Sequence, residues 1–395
     1  MTVMVSEVWG YRWTKLVSWP MTFRWFWTGW LQISFRRPHK SWFSTAAEFS
    51  FGNRENDFCH TSKLMKTLAT RQKSRQHRAK YGDFVTSRSD HLYDPLPQQA
   101  EALVRTSGVT AVVVARGDRT IAVWGEASRP LNVRSVRKSL LSALFGAAAL
   151  DKPINLTTTL AELDIDDRDP ALSDQERQAT IRDLLMARSG VYHAAAYEPP
   201  SMKAKRPSRG SHVPGSFWYY NNWDFNALGA IYERITGEDI YESFEQRIAA
   251  QIGMEHFAGS GCRRVFDPAS DHPAHTFRIS AHDLARFGLL FLNGGQWLGR
   301  RVIPASWVKE SITAYSQTDH GRLGYGYLWW IAPAGSPFGA DAYFALGAGG
   351  QGLAVMPEHN LVVAQTVNMQ EGGARLGANH FAQLLRQIVA SSRKV

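Results

Sequence analysis

The sequence predicts an α+β fold: one antiparallel sheet built from both ends of a globular body, flanked by helices, with a mainly helical lobe inserted at about residues 155–310. Three observations predict it. β-rich runs open the body at residues 109–116 and 120–124, helical spacing of apolar residues dominates between 155 and 310, and the chain turns β-rich again after residue 320. Strands on both sides of a helical insert form one sheet only if the two ends meet. A sheet then needs a layer to cover its apolar face, and helices supply it. A cleft between the two lobes is a common place for a site.

The body begins near Tyr93. Pro95 and Pro97 precede a short helical stretch at 98–105, and Gly117-Asp118-Arg119 joins the first two strands as a hairpin. Ser135 opens an apolar, Ala-rich helix running to about Leu150, where Asp151-Lys152-Pro153 ends it. Residues 177–186, 226–236, 240–251 and 281–293 carry helical spacing, and His282-Asp283 reads as the cap of the last of these. Residues 324–331, 342–346, 352–356 and 361–367 read as a strand meander with Pro357-Glu358-His359-Asn360 as one turn, and 381–390 as a closing amphipathic helix.

The chain has 395 residues, 44% hydrophobic and 20% charged, which excludes a disordered polyelectrolyte and supports a large core. Its net charge of +10 is uneven: residues 1–90 hold 15 Lys/Arg against 6 Asp/Glu, whereas residues 91–395 hold 30 against 29. The basic character therefore belongs to a 1–92 extension, and the 93–395 domain carries no electrostatic signature of a nucleic-acid binder. Seven of the 14 Trp lie within the first 42 residues. The apolar run 21–35 contains Arg24 and is shorter than the roughly 20 residues a membrane span needs. No basic–apolar–small order marks a signal peptide. The extension is expected to be poorly ordered, with a start at Met65 or contact with a membrane surface as open alternatives. Residues 63–80 carry eight basic residues, His77 among them, and no acid, which reads as a solvated linker. Cys59 and Cys262 support neither a disulfide framework nor a Cys-rich zinc site. A reducing cytoplasm fits them, as would a periplasm.

Three distant segments carry candidate chemistry. Ser135-Val136-Arg137-Lys138 places a lysine one helical turn from a serine in apolar surroundings. A serine needs a base, and a lysine becomes one when burial brings its pKa from about 10.4 toward roughly 7–8. The same spacing recurs at Ser306–Lys309, on what reads as a surface helix, and at Ser391–Lys394 in the terminal tail. Tyr220 and Asn222 offer a second proton-transfer group and an amide to orient substrate or Lys138, although Tyr219 and Asn221 fit the same pattern. The Gly-rich run from Gly347 to Gly352 follows a strand, where bare backbone can approach a substrate and donate N–H groups. His272 and His275 have metal-like spacing, but Pro273 between them disfavours a shared helix face, and no metal or other cofactor is expected.

Together these segments resemble the serine β-lactamase-like hydrolases: class C β-lactamases, penicillin-binding proteins and related esterases. The resemblance spans roughly residues 95–390. It rests on Ser-Val-Arg-Lys at 135–138, Thr180-Ile-Arg-Asp-Leu-Leu with Ser189-Gly190, Pro214-Gly215 leading to Tyr220-Asn221-Asn222, Ile279 to Gly288, and the Gly-Gly-Gln strand. It implies a β-lactamase/transpeptidase-like fold and selects Tyr220 with Asn222. It also implies an acyl-enzyme on Ser135, proton transfer by Lys138 and Tyr220, and an oxyanion hole from the N–H groups of Ser135 and Ala348. Tyr192, Ala345, Gly347 and Gly349 become pocket candidates. The third motif of such proteins usually begins with Lys or His, where this chain has Ala345. That departure disfavours β-lactam and D-Ala-D-Ala chemistry and favours a small-molecule ester or amide. The loop 201–213, with Lys203, Lys205, Arg206 and Arg209 and no acid, reads by default as a mobile surface loop; only if it folds over the cleft could one of these replace the missing cation.

Overall fold

The computed structural model describes residues 93–168, 170–369 and 376–392, together with the backbone of three strands nearer the N-terminus. The chain divides into two compact units, Met1–His77 and Arg78–Val395. In the first, β1 (Met21–Trp25), β2 (Trp30–Arg36) and β3 (Trp42–Glu48) form an antiparallel meander in which Met21 pairs with Phe35 and Phe35 with Phe43. In β1 and β2 apolar and polar residues alternate with period two, as suits a strand. The remainder of residues 1–92, including the basic linker and Cys59, lies outside the described residues.

The second unit runs α1 (Gln98–Ser107), β4 (Ala111–Arg116), β5 (Arg119–Gly125), β6 (Leu131–Asn132) and α2 (Arg137–Ala148). Then follow α3 (Ile181–Leu185), α4 (Pro200–Lys203), α5 (Asn222–Thr236), α6 (Ile240–Phe244), β7 (Arg263–Asp267), β8 (Ser270–Thr276), β9 (Arg278–Ile279) and α7 (Ala281–Leu292). The chain continues with β10 (Gln296–Trp297), β11 (Arg300–Arg301), α8 (Ala305–Ser311), β12 (Ser316–Gln317), β13 (Gly324–Tyr325), β14 (Trp330–Ile331), β15 (Tyr343–Gly347), β16 (Gln351–Met356), β17 (Leu361–Thr366) and α9 (Ala378–Ser392). Eight strands form one antiparallel sheet in the order β12-β13-β14-β15-β16-β17-β4-β5. The two ends of the body meet where β17 pairs with β4, Val363 opposite Val114.

The sheet is covered on both faces, which explains why β16 and β17 are buried along their whole length rather than on alternate residues. Neighbouring residues on a strand point to opposite faces. A Cβ on Gly352 would lie 2.6 Å from the Phe381 ring of α9, whereas the next residue, Leu353, reaches Gly288 of α7. The bare Cα of Gly288 lets α7 settle closely on the sheet: a Cβ there would stand 2.5 Å from Val362 Cγ1 and 2.9 Å from Leu353 Cδ1.

Several expected elements differ in detail. Of residues 177–186 only Ile181–Leu185 is α-helical, held by a capping box between Thr180 and Asp183. The 240–251 stretch breaks after Phe244 into a π turn, Glu245–Ala249. The 324–331 run splits into two short strands because Leu328, at φ 63°, turns the backbone between them. The inserted lobe contains an antiparallel β7–β8 ribbon, and α7, within the same range, packs on the sheet instead. Ser280, not His282-Asp283, caps α7 by accepting from Asp283 N–H at 3.1 Å. The Asp283 carboxylate accepts instead from the N–H groups of Glu255 and His256, both at 2.8 Å. Among the described residues no helix is long and apolar enough to cross a membrane.

Gly288→Val should overpack the contact between α7 and β17. A loss of about 1–3 kcal/mol is expected, read as a lower urea midpoint with an unchanged slope; an unchanged midpoint would show that α7 can move off the sheet.

Candidate active site

A 3-10 turn, Arg134–Val136, delivers Ser135 to the start of α2. Every residue of α2 is buried, so the helix is embedded on all sides and Lys138 has no route to bulk water along it. Ser135 itself is only half-buried. The Lys138 ammonium nitrogen donates to Ser135 Oγ at 3.0 Å and to Tyr220 OH at 2.7 Å. It also lies 4.1 Å from the centroid of the Tyr220 ring and 4.4 Å from that of Phe225.

Burial, and then the like charge of Arg137, hold the Lys138 pKa well below the ordinary lysine value. Arg137 is itself buried, with Nη2 donating to the neutral Asn226 Oδ1 at 3.0 Å. Burial pushes Tyr220 up to about 12, against the hydrogen bond with Ser135 and the charge of Arg137. Burial thus moves both groups toward their uncharged forms, an amine beside an intact phenol. That combination can take a proton from a serine and relay it through a hydroxyl.

The segment before α5 sets the position of Tyr220. Asn221 is the N-cap, accepting from Trp223 N–H at 3.2 Å while its Nδ2 donates to Val191 O at 2.6 Å and Asp224 Oδ1 at 2.8 Å. Asp224 also accepts from Ser189 Oγ at 2.5 Å, which ties the Ser189-Gly190 turn to the helix start. Asn221 is therefore structural, and Tyr219 OH donates away from the site, to Met202 O at 2.8 Å. Asn222 Nδ2 donates to Tyr197 O at 2.8 Å rather than contacting Lys138, and its buried Oδ1 has no partner among the described residues. Around Tyr220 stand the rings of Phe225 at 5.1 Å, Trp330 at 5.2 Å, Tyr325 at 6.1 Å and His320 at 6.4 Å between centroids.

Strand β15 closes the other side. A Cβ on Gly347 would lie 2.5 Å from Val133 O and 3.2 Å from Ser135 N, so only glycine lets the strand come this close to the serine turn. Ala348 is the exposed first residue of the turn that follows, and Gly349 there has φ 79°. The N–H groups of Ser135 and Ala348 have no hydrogen-bond partner among the described residues. Ala345 is buried two residues before Gly347. Tyr192 lies farther out: its hydroxyl shares a hydrogen bond with His212 Nδ1 at 3.1 Å, its ring meets Tyr219 edge-on, and burial pushes it up to about 12.

Three of the four cations of the 203–209 segment are paired with carboxylates. Arg206 pairs with Glu198, Arg209 with Glu176 and Lys205 with Asp319. Lys203 is exposed. Ser306 and Lys309 are both exposed on α8, and Ser391 donates to Gln387 O. His272 and His275 both lie on β8, His272 bonded to Asp166 O at 2.8 Å. Among the described residues no group of three or more His, Cys, Asp or Glu is placed to hold a metal ion. Sequence reasoning missed Arg137, Phe225, Tyr197 and Trp330. Only Arg137 carried a signal, as a charged residue inside a helix that is otherwise apolar all round.

Residues 97–387 match the family described as Beta-lactamase. The chain belongs to the beta-lactamase family. An uncharacterized protein of Alkalihalophilus pseudofirmus is 20% identical over 315 residues, covering 73% of this chain and 91% of that protein. Among solved structures, a putative 6-aminohexanoate-dimer hydrolase from Bacillus anthracis is 22% identical with a TM-score of 0.58, covering 75% of this chain and 82% of that one. A penicillin-binding protein homolog from Caulobacter crescentus is 15% identical with a TM-score of 0.56, covering 76% and 99%. At these identities the likeness is one of fold, and the beta-lactamase-family fold is that of serine hydrolases.

Arg137→Gln should shift the pH profile. A lysine with a lowered pKa is an uncharged base above that pKa and is lost as a base when pH falls through it. Removing the neighbouring cation raises the pKa, so the acid limb of kcat/KM on a soluble ester should move to higher pH. An unmoved limb would mean that burial alone sets the Lys138 charge.

Proposed function

We propose that this protein is a serine hydrolase that cleaves an ester or amide of a small molecule through an acyl-enzyme on Ser135. The observation that carries the reading is one buried lysine bonded at once to a half-exposed serine and to a tyrosine, at 3.0 Å and 2.7 Å. Ser135 Oγ attacks the carbonyl carbon as its proton passes to Lys138. The negative charge that develops on the carbonyl oxygen is met by the N–H groups of Ser135 and Ala348. As the tetrahedral species collapses, the bond to the leaving group breaks. Lys138 returns the proton to that group through Tyr220 OH, which gives up its own proton and receives another. Water then attacks the acyl-serine, and the same groups carry its proton back to Ser135. The pKa directions support Lys138 as the base and Tyr220 as a relay that stays protonated between transfers.

Intact mass after exposure to a fluorophosphonate tests the nucleophile. One adduct is expected, absent from Ser135→Ala, whose turnover should fall by on the order of 10⁶. No adduct on the folded wild-type protein would leave a binding protein on a hydrolase fold. Lys138→Ala and Tyr220→Phe should each lower acylation strongly, with the double variant little worse than either, because one proton-transfer unit fails with its first deletion. Tyr219→Phe should be mild, and additive losses for the first pair would break up the proposed unit.

The substrate class follows from Ala345, where a cation would otherwise hold a β-lactam or peptide carboxylate. A charge-assisted hydrogen bond contributes about 1.5–3 kcal/mol, or roughly one to two decades in kcat/KM. A chromogenic cephalosporin should therefore be turned over poorly beside a short-chain nitrophenyl ester. Efficient cephalosporin hydrolysis with negligible esterase activity would reverse the assignment in favour of a β-lactamase or D,D-peptidase.

A further inference from the structure

A second cationic feature sits next to Ser135. Arg134 immediately precedes the serine and has φ 51°; Tyr197, which it contacts, has φ 66°. L-residues rarely adopt either conformation, and such strain persists where the surroundings over-determine it. A web of side-chain bonds holds this pair. Arg134 Nη1 donates to Tyr197 OH, with its guanidinium 5.5 Å from the centre of that ring. Asn132 Nδ2 donates to Tyr197 OH at 3.3 Å, while Asn132 Oδ1 accepts from Arg134 N–H at 3.0 Å.

Directly across the β6–β9 ladder from Asn132 stands Arg278. Its Nη2 donates to Pro130 O at 2.8 Å. Arg134 and Arg278 are both half-buried and line one cavity of about 20 Å³ together with Val367, Asn368 and Met369. Met369 also packs on the oxyanion turn, since a Cβ on Gly349 would lie 2.2 Å from its sulfur. The cavity is thus bounded by the residue before the nucleophile and by a side chain touching the turn that carries Ala348.

Neither guanidinium has a carboxylate partner among the described residues, and Arg134 Nε is buried with no hydrogen bond. A guanidinium offers five donors in a fork that suits a carboxylate. Two half-buried like charges on one cavity repel each other, and the cost is offset when an anion sits between them. The cavity volume admits about one water-sized group, which fits a carboxylate oxygen or the end of a short chain.

Resting on the hydrolase reading of Ser135, we infer that Arg134 and Arg278 form a subsite for a carboxylate carried by the substrate, so that the preferred esters or amides are anionic. The missing cation at Ala345 and this pair then change the place of anion recognition: it moves from the third-motif strand to the turn leading into the nucleophile.

Two matched pairs of chromogenic esters test it at low ionic strength. Mono-4-nitrophenyl glutarate is set against 4-nitrophenyl pentanoate, and 4-acetoxybenzoate against phenyl acetate. In at least one pair the anionic member should have a kcat/KM on the order of ten-fold higher, mainly through KM. Arg134→Gln and Arg278→Gln should each collapse that ratio, as should added salt. Equal rates within both pairs, or a ratio untouched by Arg278→Gln, would overturn the subsite while leaving the hydrolase reading intact. Calorimetric titration with glutarate needs no turnover. Binding to the wild type that is lost in Arg278→Gln supports the subsite even if neither ester is cleaved. Failure of glutarate to bind the wild type, alongside equal ester rates, rejects it.

Discussion

A buried amine shared between two hydroxyls is the constraint on which the rest of this structure depends. Lys138 has 2% of its surface exposed and bonds to Ser135 and Tyr220. An ammonium group removed from water is costly unless paired with an anion. Here the neighbours are a serine, a tyrosine and a second cation, so the uncharged amine is the form that the surroundings favour. The state that makes lysine useful as a base is thus the state that makes its burial tolerable. Helix α2 must be enclosed for this to hold, and every residue along it is buried.

The elements around that lysine read as devices for bringing three distant segments to one point. Gly347 removes the Cβ that would keep β15 away from the serine turn. Asn221, Asp224 and Ser189 form a buried polar clamp at the start of α5, which fixes the backbone from which Tyr220 projects. Asp224 is held by neutral donors only, and burial keeps its carboxyl well above the usual carboxylate range. Gly288 and Gly352 allow helices on opposite faces to settle on the same sheet. Each feature is local, and each acts on the distance between Ser135 and something far away in sequence.

Charge is distributed to match. Three of the four cations of the 203–209 segment are committed to Glu198, Glu176 and Asp319. Those beside the nucleophile, Arg134, Arg137 and Arg278, face neutral oxygen atoms. Arg137 acts inward, on the charge state of Lys138. Arg134 and Arg278 act outward, on what approaches Ser135. A reading by charge count alone favoured the 203–209 segment, because four cations without an acid stand out in a sequence. The acids that neutralise three of them lie 8 to 114 residues away.

The sequence by itself determined the class of fold, because period-two runs at both ends and helical spacing between them admit few other architectures. It also determined which residues can meet at the site. A serine and a lysine one turn apart in an apolar helix, a Tyr-Asn-Asn segment before another helix and a glycine-rich turn after a strand are each visible locally. Where the signal was weak it failed: the β7–β8 ribbon and the break at Leu328 lacked a long periodic run. Local spacing left Tyr219 and Tyr220 open and the resemblance selected Tyr220; the folded chain supplies the physical reason, since adjacent residues project in different directions and it is the Tyr220 hydroxyl that meets Lys138 while that of Tyr219 meets Met202 O. Tertiary structure alone paired off three of the four cations of the 203–209 segment and left Arg134 and Arg278 without an anion. Hydrogen bonds and ion pairs act over about 3 Å, and which groups come within that range is set by the folded chain rather than by spacing along it.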